Sequence, residues 1–136
     1  MMQRLRILAP GAFTCAAILV AGAALAQPAD PQRVLLGSTD VPGTTLETRL
    51  YLITYPPGAS APRHTHPVVG VGYVLDGEAE SQFEGGSLVR FRAGDRFADL
   101  AATPHTLFRN PSTTKPLRFV IAYTIAKGAP TLIAQP

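Results

Sequence analysis

Beyond the first thirty or so residues, apolar positions recur in short segments that favour strands. Residues 48–55 are rich in β-branched and aromatic side chains and alternate in part. Residues 71–75 form a short apolar run that reads as buried, closed by Asp76-Gly77, a dipeptide suited to a tight hairpin turn. Residues 78–83 then alternate with a period of two, Ala79, Ser81 and Phe83 on the inner side and Glu78, Glu80 and Gln82 on the other. Gly85-Gly86 turns the chain into 88–92, and 105–109 and 117–125 supply two more strands. The 12 Gly and 13 Pro leave few windows of ten residues free, so there is little room for helices. The pattern predicts one all-β domain, a sandwich or barrel with its core at about 34–125. Residues 27–32 read as a loose leader and 126–136 as a surface tail.

The first 26 residues follow a different logic. Arg4 and Arg6 precede an apolar stretch over 12–20, and Ala24-Leu25-Ala26 supplies the small-x-small pattern of a cleaved secretory signal. Pro10, Gly11 and Gly22 interrupt a segment already short for a membrane span. The expectation is an exported protein, periplasmic or secreted, with a signal peptide at 1–26 and a domain at 27–136 that keeps no membrane anchor. This changes the charge picture. The whole chain carries a formal +3, but Arg4 and Arg6 supply most of the excess, and a nearly neutral remainder offers no footprint for nucleic acid. Cys15 is the only cysteine and lies in the leader, so disulfides, thiolate nucleophiles and Cys-ligated zinc are excluded from the mature chain.

All three histidines, His64, His66 and His105, fall in two short segments. In extended backbone His64 and His66 share a face, with Cα atoms roughly 7 Å apart. From that spacing two imidazoles reach one metal ion at about 2.0–2.1 Å each. Taken alone, His-x-His in a Pro-rich loop serves equally as a pair of surface histidines.

Gly58, five residues and then His64-Thr65-His66 resembles the opening of the first cupin motif, whose closing glycine falls on Gly77. Gly94, Asp95 and His105 are similar to the second motif, and Asn110 stands where many small cupins carry asparagine. The resemblance implies a single-domain double-stranded β-helix, the jelly-roll barrel. It also implies a three-histidine site for a divalent ion (Fe2+, Zn2+ or Mn2+) on His64, His66 and His105, and a small-molecule ligand or substrate. A homodimer is expected too, with 34–38 as a candidate exchanged edge strand.

The departures from the family pattern shape the expected chemistry. The family's glutamate ligand falls at Gly70, and Leu100 and Ala102 stand where a proline and a glycine are usual. Three neutral imidazoles leave the ion its full double charge, a stronger Lewis acid that attracts enolates or carboxylates. Gly70 is expected to leave room for water or substrate, and a glutamate restored there to tighten binding. Protonation of the imidazoles is expected to weaken binding near pH 6. The implied activities are Fe(II)-dependent oxygenation, or zinc- or manganese-assisted isomerisation or hydrolysis; the alternative is a non-catalytic cupin that binds a small molecule. Ser81 reads as a ligand contact or a hydrogen-bonded core serine, and a reversed strand parity would make Glu80 or Gln82 the replacement ligand. Tyr73, Arg92 and Arg109 are candidates for an anionic substrate or for surface roles. Nothing marks a nucleophile–base pair.

Overall fold

The computed structural model describes residues 28–136; the expected signal segment, with Arg4, Arg6 and Cys15, lies outside the described residues. Ten strands follow in order: β1 Gln32–Asp40, β2 Leu46–Tyr55, β3 His64–Thr65, β4 Gly70–Asp76, β5 Glu78–Phe83, β6 Val89–Arg92, β7 Arg96–Asp99, β8 His105–Arg109, β9 Leu117–Ala126 and β10 Ile133–Ala134. There is no helix among the described residues. Two antiparallel sheets, β1-β2-β9-β4-β7 and β10-β3-β8-β5-β6, face each other as a jelly roll.

Period-two burial builds the core. Along β9, Leu117, Phe119, Ile121, Tyr123 and Ile125 point inward while Arg118 and Thr124 are exposed. Phe108 from the opposite sheet meets Tyr55 and Phe119 edge-on, with centroids 5.3 and 5.4 Å apart, and Phe97 packs on Phe119 at 5.3 Å. Such aromatic contacts contribute about 0.5–1.5 kcal/mol each beyond burial.

Three sequence expectations need correction. The run 71–75 is not buried throughout: Gly70, Gly72 and Val74 face the core, whereas Val71, Tyr73 and Leu75 are exposed. Only one face of β4 is covered within the chain, so alternation overrides the run's apolar composition. Residue 32 is not loose leader but the first residue of β1. The segment 126–136 lies mostly at the surface as expected but is not all tail: residue 126 ends β9, and β10 pairs with β3, Ile133 opposite Thr65 and Ala134 opposite His64.

Two loops aim the histidine segment. Asn110 is buried, its Nδ2 donating to the carbonyls of Tyr55, Pro56 and Lys115 at 3.1, 3.1 and 2.8 Å. Its Oδ1 accepts from the Ser112 amide at 3.0 Å. This ties the Pro56-Pro57-Gly58 turn to the end of β8. After β7, Ala102 adopts φ 54 and donates its N–H to the His66 carbonyl at 2.8 Å. Glycine takes that left-handed conformation without steric cost, which is the physical content of the family's glycine at this position.

Candidate metal centre

β3 and β8 are neighbours, with His64 directly opposite His105, and His66 follows two residues on. All three side chains are buried, and each offers a nitrogen within 4.8 Å of the others. Each ring also has an outward partner. His64 Nδ1 meets the Pro62 carbonyl at 2.7 Å, and His66 Nδ1 meets the Thr131 carbonyl at 2.8 Å. Carbonyl oxygens only accept, so both Nδ1 atoms carry the proton, and in the neutral rings both Nε2 atoms are bare lone pairs. Those Nε2 atoms lie 3.0 Å apart. Two acceptors at that distance have no proton to share unless a cation lies between them. Two nitrogens about 2.1 Å from one ion and at right angles around it stand about 3.0 Å apart, so the spacing fits a shared metal.

His105 is held differently. Its Nε2 lies 2.8 Å from Ser81 Oγ, and its ring stacks on Phe83 at 4.0 Å between centroids. Its Nδ1 is buried without a hydrogen-bond partner. In the tautomer that donates Nε2–H to Ser81 Oγ, Nδ1 presents a third inward lone pair. Burial, reinforced by neighbouring His64 and His66, pushes the His105 imidazole down to about 3. His64 is lowered as well, chiefly by burial and against the opposing effect of the Pro62 carbonyl. Neutral, metal-competent rings are thus favoured at His64 and His105.

Asp99, Tyr123 and Arg33 complete the surroundings. Asp99 Oδ2 is 3.2 Å from His66 Nε2, and Oδ1 is 3.9 Å from His105 Nδ1. The Tyr123 hydroxyl donates to Asp99 Oδ2 at 2.5 Å. Burial, then the Asp99 charge, raise the Tyr123 phenol far above its ordinary range, so it keeps that proton. Arg33, opposite Ile53 on the inner side of β1, reaches the cavity and donates to Thr131 Oγ1 at 2.8 Å. The cavity bounded by these residues measures about 30 Å³. By volume it suits an ion with one or two water-sized ligands.

The space expected beside Gly70 is filled. A Cβ added there would lie 2.9 Å from Tyr123 Cζ, 3.0 Å from Ile121 Cδ1 and nearer still to Tyr123 Cε1. Tyr123, not water, occupies the position. Ser81 faces inward and orients His105, whereas Glu80 points the other way, so the reversed-parity alternative fails. Glu80 is nonetheless only 1 % exposed, covered by Arg90 and Arg109 at 2.7 and 2.6 Å. The Arg109 hydrogen bond holds its carboxyl below the usual range. Gln82 donates to the Gly86 carbonyl at the surface. Tyr73 lies on the outer face of β4, and Arg92 pairs with Glu78 at 3.3 Å, so neither they nor Arg109 line the metal centre. Sequence reading missed Asp99, Tyr123 and Arg33, because only cross-strand register brings them to the histidines.

Comparison with known proteins agrees with this architecture. The cupin domain profile matches residues 51–123, and the chain belongs to the cupin family. No curated protein matches it. Among solved structures, a Klebsiella pneumoniae protein with a double-stranded β-helix domain is similar over 81 % of this chain and 90 % of its own, at 22 % identity and a TM-score of 0.61. The polyketide cyclase RemF of Streptomyces resistomycificus matches over 76 % and 70 %, at 21 % identity and 0.59. The DMSP lyase DddQ of Ruegeria pomeroyi matches over 65 % of this chain, at 24 % identity and 0.56; the matched part is 43 % of the lyase. At these identities the likeness is one of fold.

Proposed function

We propose that this cupin binds one divalent ion, Fe2+, Zn2+ or Mn2+, through His64, His66 and His105, and acts there on a small anionic or enol-type molecule as an oxygenase or isomerase. The 3.0 Å approach of two Nε2 atoms whose rings are both tied outward by Nδ1–H carries this reading. A bound ion would supply Lewis acidity and open coordination positions. The chain itself supplies the rest. Pro62, Thr131 and Ser81 fix the imidazole orientations, and Arg33 offers a positive charge to an anion.

One observation favours a second reading, a non-catalytic binder of small molecules. Of the cavity's protic groups besides the histidines and Arg33, Tyr123 and Asp99 are already bonded to each other, and burial keeps the Tyr55 phenol protonated, which leaves no free general base. The proton is the other cation small enough to sit between the histidines, and thermal unfolding of chelator-treated protein separates it from a metal. Adding iron, zinc or manganese should stabilise the fold by about 2.7 kcal/mol at a hundredfold excess over Kd, and His66→Ala should abolish the gain. Equal Tm with and without all three metals would sink the metal reading.

Homodimerisation belongs to the same proposal. On the outer face of the first sheet, Val34, Leu52, Val120 and Tyr73 follow one another across four strands by register. Leu50, Ala122 and Val71 form a second such row. A contiguous apolar face of this kind suits a second copy, with 34–38 at its edge. Light scattering at micromolar concentration should give twice the monomer mass; a monomer mass would contradict it.

A further inference from the structure

Gly70 is the register partner of Asp99 on one side and of Tyr123 on the other, so the three residues form one row across β7, β4 and β9. The Tyr123 ring fills the space a residue-70 side chain would take, and its hydroxyl bonds Asp99 Oδ2 at 2.5 Å. Asp99 is buried, and its carboxylate oxygens face two imidazole nitrogens. Oδ2 faces His66 Nε2 at 3.2 Å and Oδ1 faces His105 Nδ1 at 3.9 Å. His66 Nε2 has its ring proton on the far side, toward Thr131, and His105 Nδ1 has no hydrogen-bond partner. A buried carboxylate packed against two imidazole nitrogens, one of them without any hydrogen-bond partner, is an arrangement that a shared cation resolves.

We infer that Asp99 is the fourth protein ligand of the ion, a carboxylate delivered from β7 in place of the one that β4 lacks. The inference rests on the three-histidine reading and extends it. The ligand set becomes three imidazoles and one carboxylate, with the carboxylate moved one strand across. Tyr123 is then a positioning residue: its hydroxyl occupies one lone pair of Oδ2 and fixes the carboxylate plane. Gly70 is the vacancy that lets the pair form. The ion retains a single net positive charge instead of the double charge expected for three neutral ligands, which lowers its Lewis acidity. Arg33 becomes the principal fixed positive charge for an incoming anion.

The test is Co(II) titration of the full-length, untagged, chelator-stripped chain, followed by visible absorption and calorimetry. Wild type should bind with ligand-field bands. Asp99→Asn should bind about tenfold or more weakly and with shifted bands, whereas Tyr73→Phe, on the outer face of β4, should leave both unchanged. Infrared difference spectra of wild type carrying isotope-labelled aspartate guard against a variant that fails to fold; an aspartate carboxylate band should move on loading. Unchanged affinity and bands in Asp99→Asn, or no aspartate band shift in wild type that binds Co(II), would overturn the Asp99 assignment and leave the three histidines standing. Failure of wild type to bind Co(II) would overturn both.

Discussion

Gly70→Glu, the substitution that restores the family's carboxylate on paper, should destabilise the protein and weaken metal binding. A Cβ at residue 70 would overlap the Tyr123 ring and crowd Ile121 Cδ1 at 3.0 Å. Tyr123 is 1 % exposed, flanked by the His66 ring and bonded to Asp99, so its ring can retreat only into the metal cavity and at the cost of those contacts. Overpacking of this kind costs about 1–3 kcal/mol for a small group, and Gly70→Ala should lie in that range. Glutamate adds a longer side chain and a second buried carboxyl beside Asp99, so its loss should be larger. Urea denaturation and a zinc titration of both variants check the point. A Gly70→Glu protein that is as stable as wild type and binds zinc more tightly would show that residue 70 still faces a usable ligand position.

Acidification of the metal-free protein should lower its stability, beginning near pH 6.5. His105 ionises at about 3 in the folded chain, because burial and its histidine neighbours oppose the charge, against an ordinary 6.5 once unfolded. Between those values the unfolded chain binds more protons than the folded one, so stability is highest above 6.5 and falls as pH drops toward 3. His64 adds in the same direction. Thermal melts of chelated protein over pH about 5 to 7 should show a falling Tm, and His105→Gln should flatten the slope. A Tm that is constant or rises on acidification would mean that the histidines are solvated or already protonated.

The parts of this molecule legible in its sequence are those that local chemistry dictates. β5 and β8 coincide with the predicted 78–83 and 105–109. β5 is bounded by Gly77 and Gly85, at φ 80 and 75, which turn the chain at its two ends. The histidines were legible because i, i+2 spacing and a family motif both mark them. β7 was not, for Arg96–Asp99 is four residues with charge at both ends, and its strand character comes from pairing with β4. Asp99 therefore read as an ordinary polar residue. Arg33 fell just outside the expected core of 34–125, although its register partner Ile53 points into the core. β10 carries a two-residue strand in a Gly- and Pro-bounded tail, and nothing local shows that the Thr131 carbonyl will fix His66. The one hint was negative: a glycine at the ligand position asks what fills the space, and the register answers with Tyr123 and Asp99.

The central claim is that the buried histidines exist to hold a metal. Elemental analysis of the untagged protein, purified without chelator beside His66→Ala, tests it most directly. About one equivalent of iron, zinc or manganese per chain is expected in wild type, and next to none in the variant. Wild-type protein that is folded and metal-free, and stays so after incubation with each of the three ions, would contradict it.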